Sequence, residues 1–314
     1  MSAPVEPRRT PKVLSQGAPA PSSGAGPVSA NASSTTSRRL WLICYDRLGI
    51  LGIIAALVVL TVVLMAALAP FLTPYDPTVG SVLNRYIAPS IAHPLGTDEA
   101  GRDIFSRIVW GARSSLMGPL IVVVVTAVLG TSLALIAVWW GGKVDALISR
   151  LLDLLFAFPN LLLAIIVIAV FGSGLMTAAL ALSVAYIPYT ARVIRSIALR
   201  ERGMPYVRSA ELQGISGVVI TIRHILPNVW SQVLTGATIN FGYTMIELAA
   251  LSFLGLGVQP PDADWGLMIS KGQQSLLQGH PEQSLFAGIF IVLTVAAFGY
   301  IGERLGGRAS AGRR

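Results

Sequence analysis

The sequence predicts an all-α integral membrane protein with six transmembrane helices. Of its 314 residues, 54% are hydrophobic and only 12% are charged, whereas a soluble domain carries about 25% charged residues. Several uncharged stretches exceed the roughly 20 residues that a helix needs to cross a bilayer. Inside lipid the backbone must satisfy its own hydrogen bonds, which favours helices over open sheets.

The N-terminal stretch at 1–39 precedes the first apolar run. It contains six prolines and is rich in serine, alanine and glycine, so it lacks the apolar surface that would offset the entropy of ordering. We expect a disordered cytoplasmic tail. Cys44 is the only cysteine, which excludes an intrachain disulfide.

Three apolar stretches define the first four predicted spans. The first lies at 48–75, within a segment at 40–110 that also supplies an external loop, and the second lies at 114–142. The stretch at 154–191 holds 38 uncharged residues, too many for one crossing of about 30 Å at about 1.5 Å per residue. We therefore predict a break at 171–174, between a third span that begins near Leu147 and a fourth that continues toward Arg192.

The last two predicted spans lie at 230–256 and 283–302. They complete a core domain at 111–306 with five transmembrane helices, followed by a cytoplasmic tail at 307–314. Glu247 stands inside the fifth span, where a carboxylate costs about 2.5–3.5 kcal/mol on insertion scales and usually faces a bundle interior or a water path. We predict that Glu247, with Asn240 two turns before it, lines a solute path; a role in holding helices together is the alternative.

The basic residues predict the orientation, because cytoplasmic loops carry an excess of lysine and arginine. With the N-terminus inside, 18 basic residues lie on the cytoplasmic side and five lie outside. Both termini, a loop in the 140s and the polar stretch at 192–223 are then cytoplasmic. Basic residues that flank apolar runs favour this explanation over nucleic-acid binding.

The polar stretch between the fourth and fifth spans has recognisable helix ends. Pro205 suits a first helical turn, and Gly214 suits the left-handed position just past a helix end. We predict a short helix at 205–213, a second one capped by Ser216, and a further element opened by Pro227. Two short helices below the membrane would form a rigid knob.

Two other predictions concern the spans and their external loop. The segment at 97–113 predicts an external amphipathic helix, capped by Thr97 or Asp98, that leads into the second span. Pro159 and Pro188 predict kinks in the third and fourth spans, because proline removes a backbone donor and clashes with the preceding turn.

Several motifs carry a family resemblance. Gly214, with Leu226 and Pro227 at its thirteen-residue spacing, resembles the EAA motif (Glu-Ala-Ala-x3-Gly-x9-Ile-x-Leu-Pro) of ATP-binding-cassette importer permeases. The sequences at 94–103, 111–116, 156–160 and 251–261 are similar to the second, C-type permease of dipeptide and oligopeptide importers. The resemblance covers about residues 46–303 and implies a type I importer permease fold with a cytoplasmic coupling helix.

The resemblance also implies partners and contact residues. It implies a second permease, two cytoplasmic ATPase domains, an external substrate-binding protein, a bacterial inner membrane with its lipid, and a peptide substrate. The positions that would contact an ATPase are Pro205, Tyr206, Arg208, Ser209, Ala210, Glu211, Gly214, Leu226 and Pro227. Arg208 stands where the family has glutamate, so this position carries the opposite charge.

The sequence lacks the chemistry of an enzyme. It contains no Gly-x4-Gly-Lys-Ser/Thr loop for phosphate, so ATP and Mg²⁺ would bind the partner ATPases and no cofactor is expected in this chain. His93, His224 and His280 are too scattered to predict a metal site.

Two alternative functions stay open: a secondary transporter or channel driven by an ion gradient, and a membrane anchor. If the chain belongs to an importer, the cargo could be dipeptides, longer peptides, glutathione, haem or a metal complex.

Overall fold

The computed structural model describes residues 35–311, and their side chains within 49–306. Within this range all regular secondary structure is helical. The predicted tail at 1–39 lies almost wholly outside the described residues, and the predicted tail at 307–314 lies beyond the described side chains. The longer helices are α1 (Thr35–Ala67), α3 (Ile104–Trp140), α6 (Leu175–Arg202), α9 (Leu226–Phe253) and α11 (Glu282–Ala311).

The shorter helices connect these long ones. They are α2 (Ala69–Leu72), α4 (Gly142–Phe156), α5 (Asn160–Phe171), α7 (Pro205–Leu212), α8 (Gly217–Ile220) and α10 (Trp265–Leu277). A 3-10 turn occupies Val82–Asn84 and a π-helical turn occupies Thr221–Ile225.

Four described helices are long and apolar enough to cross a membrane. They are Gly49–Ala67, Ile104–Trp140, Leu175–Arg202 and Glu282–Gly306. A fifth is added if α4 and α5 form one span, although these two helices meet at 86°. The predicted fifth span does form a helix, α9. Its polar residues make it less apolar than the four helices above, so it is not among them. The count of six spans stays a prediction.

The third span is bent at the proline where a kink is predicted. Helices α4 and α5 meet at 86°, and Pro159 stands immediately before α5. The 140s, predicted as a loop, are helical in α4. The predicted break after α5 is confirmed, because Gly172 and Gly174 take positive φ values of 93° and 155°. Helix α6 continues through Pro188 without a break, and the kink predicted there stays a prediction.

The segment before the second span is also different from its prediction. No separate amphipathic helix exists in the described loop at 97–103; α3 simply begins at Ile104, where the Asp103 side chain accepts a hydrogen bond from the Ser106 N–H. Thr97 and Asp98 are not caps. The Thr97 hydroxyl donates to the Asn84 carbonyl, and Asp98 accepts from the Arg102 side chain at 2.8 Å. At about 1.5 Å per residue, the 37-residue α3 is longer than a bilayer core is thick.

Helix α10 was not predicted, and a buried tryptophan fixes it in place. Trp265 is fully buried at its first position and donates from Nε1 to the Ile108 carbonyl at 2.9 Å. Asp264 caps the helix by accepting from the Leu267 N–H, and its other oxygen accepts from the Ser115 hydroxyl at 2.8 Å. Because the carboxyl is buried, its pKa is raised from the ordinary value.

Helix α9 lies among the others and packs against α3, α6, α10 and α11. One core cluster surrounds Trp265 near the start of α3, and a second joins α5 and α6 through small residues such as Ala178 and Ala181. A third lies at the other end of α3 and includes residues of α6, α7 and α9. Helix α7 therefore belongs to the core of the bundle and does not hang from a free loop.

Candidate functional site

Helix α7 has the ends that the sequence predicts. Pro205 stands in its first turn, and Gly214 follows its last turn with φ +72°. The Gly214 N–H donates to the Glu211 carbonyl at 3.0 Å, and the Ile215 N–H donates to the Ala210 carbonyl at 3.2 Å. This pair of bonds forms a Schellman motif, which satisfies carbonyls at a helix end and requires a left-handed residue at the position of Gly214.

One face of α7 is anchored and the other is exposed. Val207 is fully buried and Ala210 is 7% exposed, and both pack into the cluster that α3, α6 and α9 share. Leu212 is 90% exposed. The other exposed positions are Pro205, Tyr206, Arg208, Ser209 and Glu211. The charged and polar residues predicted to contact a partner thus share an exposed surface that is backed by a packed core. Ala210, also predicted to contact a partner, is instead buried in that core.

A polar triad ties α7 to two neighbouring helices. Glu201, buried near the end of α6, accepts a hydrogen bond from the Tyr206 hydroxyl at 3.0 Å. The Asn228 amide of α9 donates to the same hydroxyl at 2.9 Å. Sequence reasoning missed Glu201 and Asn228; the signal that could have found Glu201 is a carboxylate at the end of a long apolar helix.

A second set of contacts between helix ends involves an arginine, a tryptophan and a glycine. The Arg202 guanidinium lies 4.9 Å from the centre of the Trp139 ring and donates to the Val138 carbonyl. The same indole lies close to Gly217, where an added Cβ would be 1.9 Å from the ring. The end of α3 therefore contacts both the end of α6 and the start of α8 through Trp139.

The predicted second short helix merges with the fifth span. Ser216 precedes α8, but its side chain makes no capping hydrogen bond with the described residues. Pro227 opens no new element, because α8, the π-helical turn and α9 follow one another without a break, with Leu226 and Pro227 in the first turn of α9. Proline has no backbone N–H to donate, and a π-helical turn with a different hydrogen-bond pattern stands just before Pro227. The segment after α7 is thus continuous with α9.

The two predicted path residues both lie on the side of α9 that faces α6. The Glu247 carboxylate faces the Tyr186 hydroxyl of α6 and the Asn160 amide of α5. Its Oε2 atom is buried and has no hydrogen-bond partner among the described residues. Asn240 is 5% exposed and lines a cavity of about 40 Å³ between α3, α6 and α9, which Thr190 also lines. The structure places the two residues along one seam but not in one pocket.

The sequence is similar to known proteins along most of its length. Residues 126–309 match the family described as binding-protein-dependent transport system inner membrane component. The chain is 40% identical over 255 residues to the dipeptide transport system permease protein DppC of Alkalihalophilus pseudofirmus, covering 81% of this chain and 84% of that protein. It is 39% identical over 255 residues to the glutathione transport system permease protein GsiD of Pectobacterium atrosepticum, with the same coverage of 81% and 84%.

Two further similarities extend these matches. A putative peptide transport system permease protein of Brucella suis is 39% identical over 270 residues, covering 86% of this chain and 88% of that protein. Among solved structures, the inward-facing MetNI methionine ABC transporter is similar with a TM-score of 0.53 and 18% identity, covering 66% of this chain and 97% of that one. At 18% identity, this structural similarity shows a shared fold and nothing about function.

Proposed function

The chain belongs to the family of binding-protein-dependent transport system inner membrane components, and from this premise we propose that it is a permease subunit of an ATP-driven importer of short peptides. The observation that carries the proposal is the similarity along more than four-fifths of the chain to permeases named for dipeptides, peptides and glutathione. These three cargoes share a peptide backbone with charged ends. The same matches favour this function over transport driven by an ion gradient.

The proposed complex follows the family. The chain would pair with a second permease in the bacterial inner membrane, receive peptide from an external binding protein, and contact two cytoplasmic ATPase domains that bind ATP and Mg²⁺. Both termini would be cytoplasmic, as the distribution of basic residues predicts. The count of six spans, with α9 as the fifth, belongs to this proposal.

We assign the contact with an ATPase to the exposed face of α7. Support comes from its anchoring: Val207 and Ala210 are buried in the bundle, and Tyr206 joins Glu201 of α6 to Asn228 of α9. A packed core shifts between discrete arrangements and does not deform continuously. A push on α7 would therefore move the ends of α6 and α9 together.

We assign the peptide path to the seam between α6 and α9. Movement of these helices would change the seam that contains Glu247 and Asn240. Because Glu247 has a buried oxygen without a partner among the described residues, it is suited to receive the ammonium group of a peptide. The competing role is structural, since the same carboxylate faces Tyr186 of α6 and Asn160 of α5.

The function is tested by purification and reconstitution. A tagged chain expressed with its partner genes should co-purify with ATPase subunits, and vesicles carrying the complex should accumulate labelled dialanine only when ATP and the binding protein are supplied. Accumulation that follows an imposed proton or sodium gradient without ATP would contradict the proposal. A panel of dipeptides, longer peptides and glutathione as competitors would then define the cargo.

Replacing Glu247 with glutamine is expected to lower peptide uptake about tenfold, because a hydrogen bond to a charged group contributes about 1.5–3 kcal/mol. The complex should still assemble with an unchanged thermal midpoint, since glutamine retains the shape of the side chain. Glu303→Gln, which removes an exposed carboxylate from α11, serves as the control and should transport normally. A Glu247→Gln chain that no longer assembles would favour the structural role.

A further inference from the structure

A charged cleft lies at the end of α3 opposite to α7. Its volume is about 420 Å³, which falls in the range of about 300–1,000 Å³ for small-molecule sites. Its walls come from α3, from the chain after α2, and from the loop before α10. The lining residues with polar or aromatic side chains are Asp76, Thr78, Trp110, Arg113, Ser114 and Asp262.

A buried arginine holds the walls of this cleft together. Arg107 is 1% exposed, and its Nη1 donates to the Pro77 carbonyl at 2.8 Å and to the Pro261 carbonyl at 3.3 Å. These two carbonyls belong to the residues next to Asp76 and Asp262. Because one rigid guanidinium binds both loops and lies on α3 one turn before Trp110, the two acidic walls keep a fixed position relative to the helix.

Arg113 supplies the positive charge of the cleft, and its guanidinium is held in place without an ion-pair partner among the described residues. The Arg113 guanidinium lies 5.2 Å from the centre of the Trp110 ring, and Trp110 is itself fixed by donating from Nε1 to the Thr73 hydroxyl at 3.0 Å. Among the described residues, no carboxylate lies within 4.0 Å of Arg113. An arginine stacked on an aromatic ring presents a planar fork that fits a carboxylate.

The opposite charge is provided by two aspartates. Asp76 accepts hydrogen bonds from the Thr78 hydroxyl at 2.6 Å and from the Thr78 N–H at 2.8 Å. These bonds, the hydroxyl first, lower the pKa of Asp76, so its carboxylate is charged at neutral pH. Asp262 adds a second exposed carboxylate on the facing loop.

We propose that this cleft receives a short zwitterionic peptide before it passes between the helices, with Arg113 binding the α-carboxylate and Asp76 and Asp262 binding the α-ammonium. The inference rests on the proposed function and adds a substrate site to it. A cleft with separated charges of both signs matches a molecule whose two ends are oppositely charged. It would hold a released peptide close to the path and so reduce its escape to the outside.

The test uses the complete complex in vesicles, with binding protein, ATP and labelled dialanine. Arg113→Gln and Asp262→Asn should each lower the number of peptides imported per ATP hydrolysed about fivefold or more, with ATP hydrolysis unchanged. Arg113→Lys, which keeps the charge without the planar fork, should lie between. Arg85→Gln is the matched control, because Arg85 also lies over an aromatic ring, Tyr86, at 4.9 Å but does not line the cleft.

The outcomes distinguish failure of the peptide site from failure of the proposed permease function. Equal import per ATP in all four variants would overturn the cleft while the proposed function stands. Loss of the ATP hydrolysis that the binding protein stimulates, in Arg113→Gln but not in Arg85→Gln, would show that the cleft holds the binding protein and would also overturn it. A wild-type complex that hydrolyses ATP but imports no peptide would remove the proposed function, and the inference with it.

Discussion

A Gly214→Val complex is expected to hydrolyse ATP while importing peptide at least about tenfold more slowly than the wild type. Gly214 has φ +72° and closes the Schellman motif at the end of α7. A β-branched residue in the left-handed region costs about 1–2 kcal/mol or more, and relief of that strain would unwind the last turn of α7. Because Glu211 and Leu212 belong to that turn, the exposed face would lose its shape. Uptake and phosphate release should be measured on the same vesicles.

The effect of Gly214→Val is attributable to the backbone alone, because no described atom lies within 4 Å of the position that a Cβ would occupy. Gly214→Asn is the matched control, since asparagine tolerates the left-handed conformation. It should keep most of the uptake per ATP. A valine variant that imports peptide at the wild-type ratio would show that the end of α7 plays no part in coupling.

Replacing Gly217 with alanine is expected to destabilise the complex, although alanine is the better helix former by about 1 kcal/mol. The added Cβ would lie 1.9 Å from the Trp139 ring, which is half-buried and also contacted by the Arg202 guanidinium. Such overpacking typically costs about 1–3 kcal/mol, so the steric term exceeds the propensity term. We expect a lower thermal midpoint and weaker uptake, because the contacts of Trp139 with Arg202 and Gly217 would be disrupted.

Two further variants isolate the contact between Gly217 and Trp139. Combining Gly217→Ala with Trp139→Leu should restore part of the thermal midpoint, since the smaller side chain makes room for the methyl group. Gly288→Ala, at a helical glycine with no described atom within 4 Å of its Cβ position, should be neutral or slightly stabilising. A Gly217→Ala complex as stable as the wild type would mean that Trp139 is free to move away.

Local chemistry explains what the sequence predicts well. Glycine and proline mark backbone positions that other residues avoid, so the break at Gly172 and Gly174 and both ends of α7 are predictable. Long uncharged runs likewise predict the positions of α3, α6 and α11. These signals act within a few residues of each other along the chain, and tertiary packing does not override them.

The remaining features depend on contacts between distant residues. Glu201 and Asn228 meet through Tyr206 only because α6, α7 and α9 converge. Thr97 and Asp103 are both good helix caps by residue type, but the Thr97 hydroxyl donates to the distant Asn84 carbonyl and Asp103 caps α3. The same holds for α10, whose position depends on burying Trp265 against α3, a contact that spans 157 residues.

The third span shows both kinds of feature. Pro159 predicts a kink within the uncharged run that begins at 154, and α4 and α5 meet at 86° at that proline. The partners of α4 depend on tertiary structure, because Asp145 binds Arg195 and Asp153 binds Arg192, both on α6.

The central claim is that the exposed face of α7 is where the ATPase binds, and site-directed cross-linking tests it most directly. In a Cys44→Ser background, which removes the only cysteine, Leu212→Cys should cross-link to an ATPase subunit, because Leu212 is 90% exposed on that face. Leu83→Cys, at a residue 95% exposed in the loop before α3, should give no such product. A cross-link to the ATPase from position 83 and none from position 212 would contradict the claim.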